Sequence, residues 1–188
     1  MVSVLSSYYE KFLATGEVKC IDEEIPFEIP QGWEWCRFGS LMINRDSERI
    51  PLSVAQRQTL KKVYDYYGAS GVIDKVDKYL FDKDLLLIGE DGANLINRST
   101  PIAFIAKGKY WVNNHAHILS PKIDFEFLQY SLNQIDYSEY VNGSTRLKLT
   151  QTDMRSIRLM LPPLSEQKLI KAKIQTLFSQ LDMIMGSL

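Results

Sequence analysis

Residues 142–151, NGSTRLKLTQ, gather side chains that can grip a polyanion and read a flat polar edge. Asn142, Arg146 and Gln151 have the bidentate hydrogen-bonding geometry that tells one base edge from another in a major groove. Lys148 suits a phosphate oxygen, and Ser144 and Thr145 suit either kind of contact. Arg146 and Lys148 lead this set. The segment shows no helix or strand periodicity, so its side chains should be exposed, as they would also be in an ordinary solvated loop. Asn94, Asn97 and Arg98 form a second, weaker set of the same chemistry. Lys107 and Lys109 flank Gly108 and read equally well as a hairpin turn.

Other chemistry is poorly supported. His115 and His117 stand two apart on what reads as a strand, a spacing that puts both on one face. No carboxylate or cysteine cluster is near them in sequence, so they read as core or hydrogen-bonded strand residues and no metal is expected. Pro162-Pro163 lies between leucines, without the polar and aromatic flanks of an adenine methyltransferase tetrapeptide. A phosphate-binding loop ending in Gly-Lys-Ser/Thr is absent. Asp82, Asp84, Glu90 and Asp91 could be imagined as a nuclease cluster, but no Glu-x-Lys companion follows. No catalytic residue is assigned.

The elements that must hold these residues are legible in part. Leu5, Tyr8, Phe12 and Leu13 predict a helix over 1–14 with Gly16 as its C-terminal cap, followed by an extended connector to Gly32. From Trp33 onward the signals are mainly β: Leu85 to Ile88, Ile102 to Ala106, and a longer strand over Lys109 to Leu119. Turn-rich stretches, GASG at 68–71 and GEDGAN at 89–94, separate them. Asp124 caps a helix carrying Phe125, Leu128, Leu132 and Ile135. Ile157 to Leu161 is a short apolar strand that Pro162-Pro163 ends. Trp33, Trp35 and Trp111 read as core or domain-edge anchors.

A helix then opens with Ser165 at the N-cap position and Glu166 in its first turn. Ile170, Ile174, Leu177, Leu181 and Ile184 follow at spacings of four, three, four and three, the repeat of a helix-pairing seam. The same pattern fits an amphipathic helix lying on its own domain. The fold class is therefore α+β, a mostly β domain with a few helices and a long carboxy-terminal coiled-coil-type helix. Three regions follow: 1–24, helix and connector; 25–162, the domain; 163–188, a spacer or dimerisation helix.

Composition sets limits. The 188 residues are 45% hydrophobic and 24% charged, a globular balance. No apolar run approaches the ~20 residues of a membrane span. The start lacks the basic region and apolar core of a signal peptide. Cys20 and Cys36 are too few for a disulfide scaffold, and a reducing cytoplasmic setting is expected. With 22 basic and 23 acidic residues the formal net charge is −1. An autonomous nucleic-acid binder normally carries a basic surplus. The charge is uneven, however: residues 142–158 hold Arg146, Lys148, Arg155 and Arg158 against Asp153 alone. Any grip on DNA should be weak without partners.

Four stretches in fixed order carry a resemblance: IPFEIPQGWEWCRFGSL at 25–41, YLFDKDLLLIGEDGAN at 79–94, KYWVNNHAHIL at 109–119 and NGSTRLKLTQTDMRSIRLMLPPLSEQKLI at 142–170. The chain resembles one half of the specificity subunit of a type I restriction-modification system, a target-recognition domain with its following helix. The resemblance implies a non-catalytic reader of one half of a split double-stranded DNA target. Modification subunits would supply methylation with S-adenosylmethionine, and a restriction subunit would supply ATP- and Mg-dependent cleavage. This chain itself would bind no cofactor. Holding one recognition domain where the family has two, it would be a fragment, or a half-subunit that pairs as a homodimer through its last helix. The competing expectation is a protein-interaction module that dimerises through its helices without reading DNA.

Overall fold

A computed structural model describes residues 7–12, 14–143 and 147–187. The amino end is a strand hairpin: β1 (Tyr9–Lys11) pairs antiparallel with β2 (Val18–Cys20). The helix expected over 1–14 is therefore corrected for its described part, while Leu5 and Leu13 lie outside the described residues. The reason is that nonlocal partners win. The Ile21 N–H donates to the Tyr8 carbonyl, and the Glu10 carboxylate accepts from Arg37. Gly16 turns the hairpin at φ +75°, where a side chain would be strained, rather than capping a helix. The connector holds one 3₁₀ turn, Asp22–Glu24.

β3 (Glu34–Arg37) runs antiparallel to residues Arg158–Leu161, closing the domain where the chain enters and leaves it. Next come β4 (Met42–Asn44) and α1 (Val54–Gln58), the latter opened by a Ser53–Gln56 capping box. β5 (Tyr64–Gly68), β6 (Gly71–Val76), β7 (Phe81–Asp82) and β8 (Leu85–Gly89) follow. After them stand α2 (Asn94–Asn97), β9 (Ala103–Ala106), β10 (Lys109–Val112) and β11 (Ala116–Pro121). They make two four-stranded sheets, β6-β5-β10-β7 and β4-β11-β8-β9. The second is wholly antiparallel; in the first, β10 runs parallel to β5.

β8 explains its own apolar run. Leu86 and Ile88 enter one core with Phe38, Leu128, Leu149 and Ile157, while Leu85 and Leu87 enter another with Phe81, Tyr110 and Ile118. A strand buried on both faces needs no polar alternation. Gly89 is required where it stands, since a Cβ there would lie 2.8 Å from the Ala69 carbonyl oxygen.

The single strand expected over 109–119 is in fact two, in different sheets. Asn113 and Asn114 interrupt it: the Asn113 N–H donates to Tyr67 and its side chain accepts from the His115 N–H. That side-chain turn redirects the backbone between sheets. The Lys107–Gly108–Lys109 turn is likewise no hairpin, because β9 and β10 belong to separate sheets. The GEDGAN stretch leads into α2 rather than remaining all loop.

α3 (Phe125–Leu132) is capped by Asp124, which accepts from the Phe127 N–H. α4 (Gln151–Ser156) is capped by Thr150, and β12 (Arg158–Leu161) and α5 (Leu164–Met185) complete the chain. The fold is α+β, as the sequence pattern implies. α5 starts earlier than expected: Pro163, not Ser165, is the N-cap, and its carbonyl accepts from the Glu166 and Gln167 N–H groups. At 22 residues the helix is about 33 Å long. Its first half lies against α3 through Lys171–Asp124 and Gln175–Glu126, and Phe178 reaches the Tyr130 ring. Ile170 and Ile174 are half-buried there. Leu177, Leu181 and Ile184 are 46%, 53% and 58% exposed.

Candidate nucleic-acid interface

The described stem of the 142–151 segment is built by backbone pairing. The Asn142 N–H donates to Lys148 O at 3.0 Å and the Lys148 N–H to Asn142 O at 2.8 Å. Ser144, Thr145 and Arg146, expected here as contacts, lie outside the described residues. The stem docks on the chain just beyond β8: the Gly92 N–H donates to Leu147 O, and the Leu149 N–H to Glu90 O. The expectation of a wholly irregular, exposed segment is corrected in three respects. Leu149 is fully buried, Thr150 caps α4, and Gln151 is the first residue of that helix. Leu147 and Leu149 alternate with polar residues over too short a stretch to signal the burial of Leu149.

Beneath the stem lies a charged network. His117, on β11, places Nδ1 2.6 Å from Asp46 Oδ2 and Nε2 2.8 Å from Leu149 O. The Ile118 N–H donates to Asp46 Oδ1, and Gln151 Nε2 to Asp46 Oδ2, both at 2.8 Å. Arg49 donates to Glu90 Oε2 at 2.5 Å and Lys148 Nζ sits 2.9 Å from Glu90 Oε1. Burial opposes the charged form of Asp46, but the hydrogen bond and charge of His117, with the Ile118 amide, outweigh it and hold the carboxyl below its usual range. Burial also opposes ionisation of Glu90, and Arg49 and Lys148 overcome it in the same direction.

The absence of carboxylates near the histidines in sequence is thus misleading. The fold brings Asp46 and Glu90 to His117, and Asp91 to within 2.8 Å of His115 Nδ1. Nor do the two histidines share a strand, since β11 begins at Ala116. Asp46, Glu90 and His117 offer donor atoms within 4.8 Å of one another. The carboxylate oxygens of Asp46 and Glu90 already accept from Arg49, Lys148, Gln151 and the Ile118 amide, and both His117 nitrogens face acceptors, so the arrangement works as an ion-pair network. Asp82 and Asp84 precede β8 while Glu90 and Asp91 follow it, so the four acids stand at opposite ends of that strand.

Among the described candidates, the structure brings Asn142, Lys148 and Gln151 together and separates Asn94, Asn97, Arg98, Lys107 and Lys109 from them. Asn142 Nδ2 donates to Asp153, which Thr150 also engages. Asn94 braces its own loop, accepting from Ser99 and the Thr100 N–H. Asn97 is exposed at the end of α2. Arg98, at φ +51°, donates to the Asn133 carbonyl and borders an open groove with Tyr130 and Phe178. Lys107 is exposed at the intersheet turn, and Lys109 lies over the Tyr79 ring, 3.8 Å from Asp82. Asp46, Arg49, Glu90 and His117 were invisible to sequence reasoning as a group, because Asp46 and His117 are 71 positions apart. Two of the tryptophans anchor edges: Trp33 Nε1 donates to Glu166 on α5, and Trp111 Nε1 to Ile50 O.

A family model described as the type I restriction modification DNA specificity domain matches residues 30–187. The chain belongs to this family. Among its relatives is a Haemophilus influenzae protein provisionally named a type I restriction enzyme specificity subunit, 37% identical over 105 residues, which are 54% of this chain and 26% of that protein. The EcoEI specificity subunit of Escherichia coli is 21% identical over 193 residues, covering 89% of this chain and 32% of the relative. The chain thus spans about a third or less of these relatives' lengths. The type I S subunit from M. genitalium shares the fold with a TM-score of 0.64 at 14% identity, over 85% of this chain and 43% of that one. The HsdS subunit from Thermoanaerobacter tengcongensis gives 0.53 at 15% identity, over 86% and 41%.

Proposed function

We propose that this specificity-domain chain reads one half of a split double-stranded DNA target as the non-catalytic specificity component of a type I restriction-modification complex, in the cytoplasm. The observation that carries this reading is the continuous family match over 30–187, which takes in both the β domain and α5. Asn142, Ser144, Thr145, Arg146, Lys148 and Gln151 are the first candidates for DNA contact, with Asn94, Asn97, Arg98, Lys107 and Lys109 as outlying ones. Modification subunits dock on the chain and bring S-adenosylmethionine; the restriction subunit, recruited through them, brings ATP and Mg. The near-neutral net charge supports dependence on those partners for affinity.

The pairing reading concerns α5. Ile170, Ile174, Leu177, Leu181 and Ile184 form a seam whose outer half is exposed beside Phe178 and Met185. A second copy pairing there would set two heads at a fixed distance, and two-fold symmetry would make the target a palindrome with a gap. The test is DNA binding by the chain with a cognate modification subunit, across salt concentrations. Sequence-dependent, salt-sensitive binding supports the reading. Association with the protein partner alone, indifferent to DNA sequence, supports the interaction-module alternative.

A further inference from the structure

The His117 ring is 1% exposed, and both of its nitrogens face acceptors. The Leu149 carbonyl can only accept. Asp46 Oδ2 already accepts from Gln151 and lies 3.5 Å from Arg49 Nη2, while Oδ1 takes the Ile118 N–H. A carboxyl receiving those donors is ionised and has no proton to give. Both ring nitrogens must then donate, and only the imidazolium does that.

The groups facing this ring come from every neighbouring element. Asp46 opens a 3₁₀ turn after β4, Asp46–Glu48, and Arg49 is the residue that follows it. Glu90, 3.8 Å from Nδ1, comes from beyond β8 and is paired with Arg49 and Lys148. His115 and Asp91 form a separate contact at the same sheet end. Leu149 is gripped from two sides, its carbonyl by His117 and its N–H by the Glu90 carbonyl. Lys148, just before it, and Gln151, two residues after it, are each tied to a carboxylate of the same network.

We propose that His117, as the imidazolium, is the positioning residue for the DNA-contacting segment Leu147–Gln151, and that loss of its second ring proton loosens that segment. This rests on the DNA reading above. When pH rises enough to remove one proton, either the buried Leu149 carbonyl loses its His117 donor or a ring lone pair is turned against the Asp46 carboxylate, an arrangement the segment relieves by shifting. Exposed lysines keep their charge over that range, so phosphate contacts alone would give no such loss.

Two arms test this on the full chain. Without DNA, nitrogen NMR of ¹⁵N-histidine-labelled protein should find both His117 nitrogens protonated at neutral pH, and the Leu147–Gln151 amides should move as that ring titrates. A singly protonated ring at neutral pH, or amides indifferent to it, overturns the proposal. With the cognate modification subunits, affinity for a labelled duplex selected from a random-sequence pool should weaken about tenfold from about pH 6 to about pH 9. His117→Gln, which retains a donor but cannot titrate, should flatten that profile while leaving the melting temperature near wild type. Identical profiles in both proteins also overturn it. Failure of DNA binding at every pH would sink the DNA reading, and the first arm would still decide the positioning claim. That arm needs no variant, so a His117→Gln protein that does not fold leaves the claim open to refutation.

Discussion

At the level of single residues, charged side chains do more to hold this chain together than the near-neutral composition suggests. Arg37 joins the amino-terminal hairpin to β3 by reaching Glu10 and Glu24, and Lys19 also pairs with Glu24. Hydrogen bonds from Lys19 and then Arg37 hold the Glu24 carboxyl at about 2, below its ordinary 4.5. A folded value below the unfolded one means the contribution is full above about 4.5 and fades as pH falls toward 2. Amide protection of Val18–Cys20 should therefore drop over that acid range, and Glu24→Gln should show the loss already at neutral pH. Protection independent of pH in wild type would count against this anchoring.

The contact candidates make a residue-level prediction too. If Arg146 reads a base edge, Arg146→Ala should relax sequence choice at one position by about 1–3 kcal/mol, whereas equal losses on all sequences would make it a phosphate anchor. Lys148→Ala is expected to weaken binding evenly and to lower the salt slope by about one. Competition assays on matched and mismatched duplexes separate these outcomes.

Among the elements, legibility followed burial and locality. β8 was readable because five consecutive buried residues leave an unbroken apolar run, and α3 because its cap and apolar face are local. The amino-terminal hairpin was not. Tyr8 and Phe12 fall at helical spacing, but Phe12 pairs with Glu17, Tyr8 with Ile21 and Asp22, and Glu10 between them with Arg37, beyond any local helical pattern. The split of 109–119 depended on Asn113 folding back on the chain. The site was half legible: the stem residues were named, but the network that carries them joins positions 46, 49, 90 and 117, which no short window connects. For α5, Leu177→Glu with Leu181→Glu should convert a dimer to monomers without disturbing the head, because both side chains are exposed. Sedimentation at several concentrations reads this directly; an unchanged profile removes the seam as a pairing surface.

For the molecule as a whole, head and rod are joined firmly enough to act together. β12 leads through Pro162-Pro163 straight into α5, Trp33 is hydrogen-bonded to Glu166, and Lys171 is paired with Asp124. A head fixed to a rod can set the distance between two recognition sites, which a head on a loose linker could not do. The most direct measurement is selection from a random-sequence duplex pool by the chain assembled with its modification subunits, followed by sequencing of the bound DNA. Enrichment of a split motif with a constant gap is expected, inverted in symmetry if two copies pair through α5. A bound pool that stays random at every salt concentration would contradict the reading of this chain as the component that selects the DNA sequence.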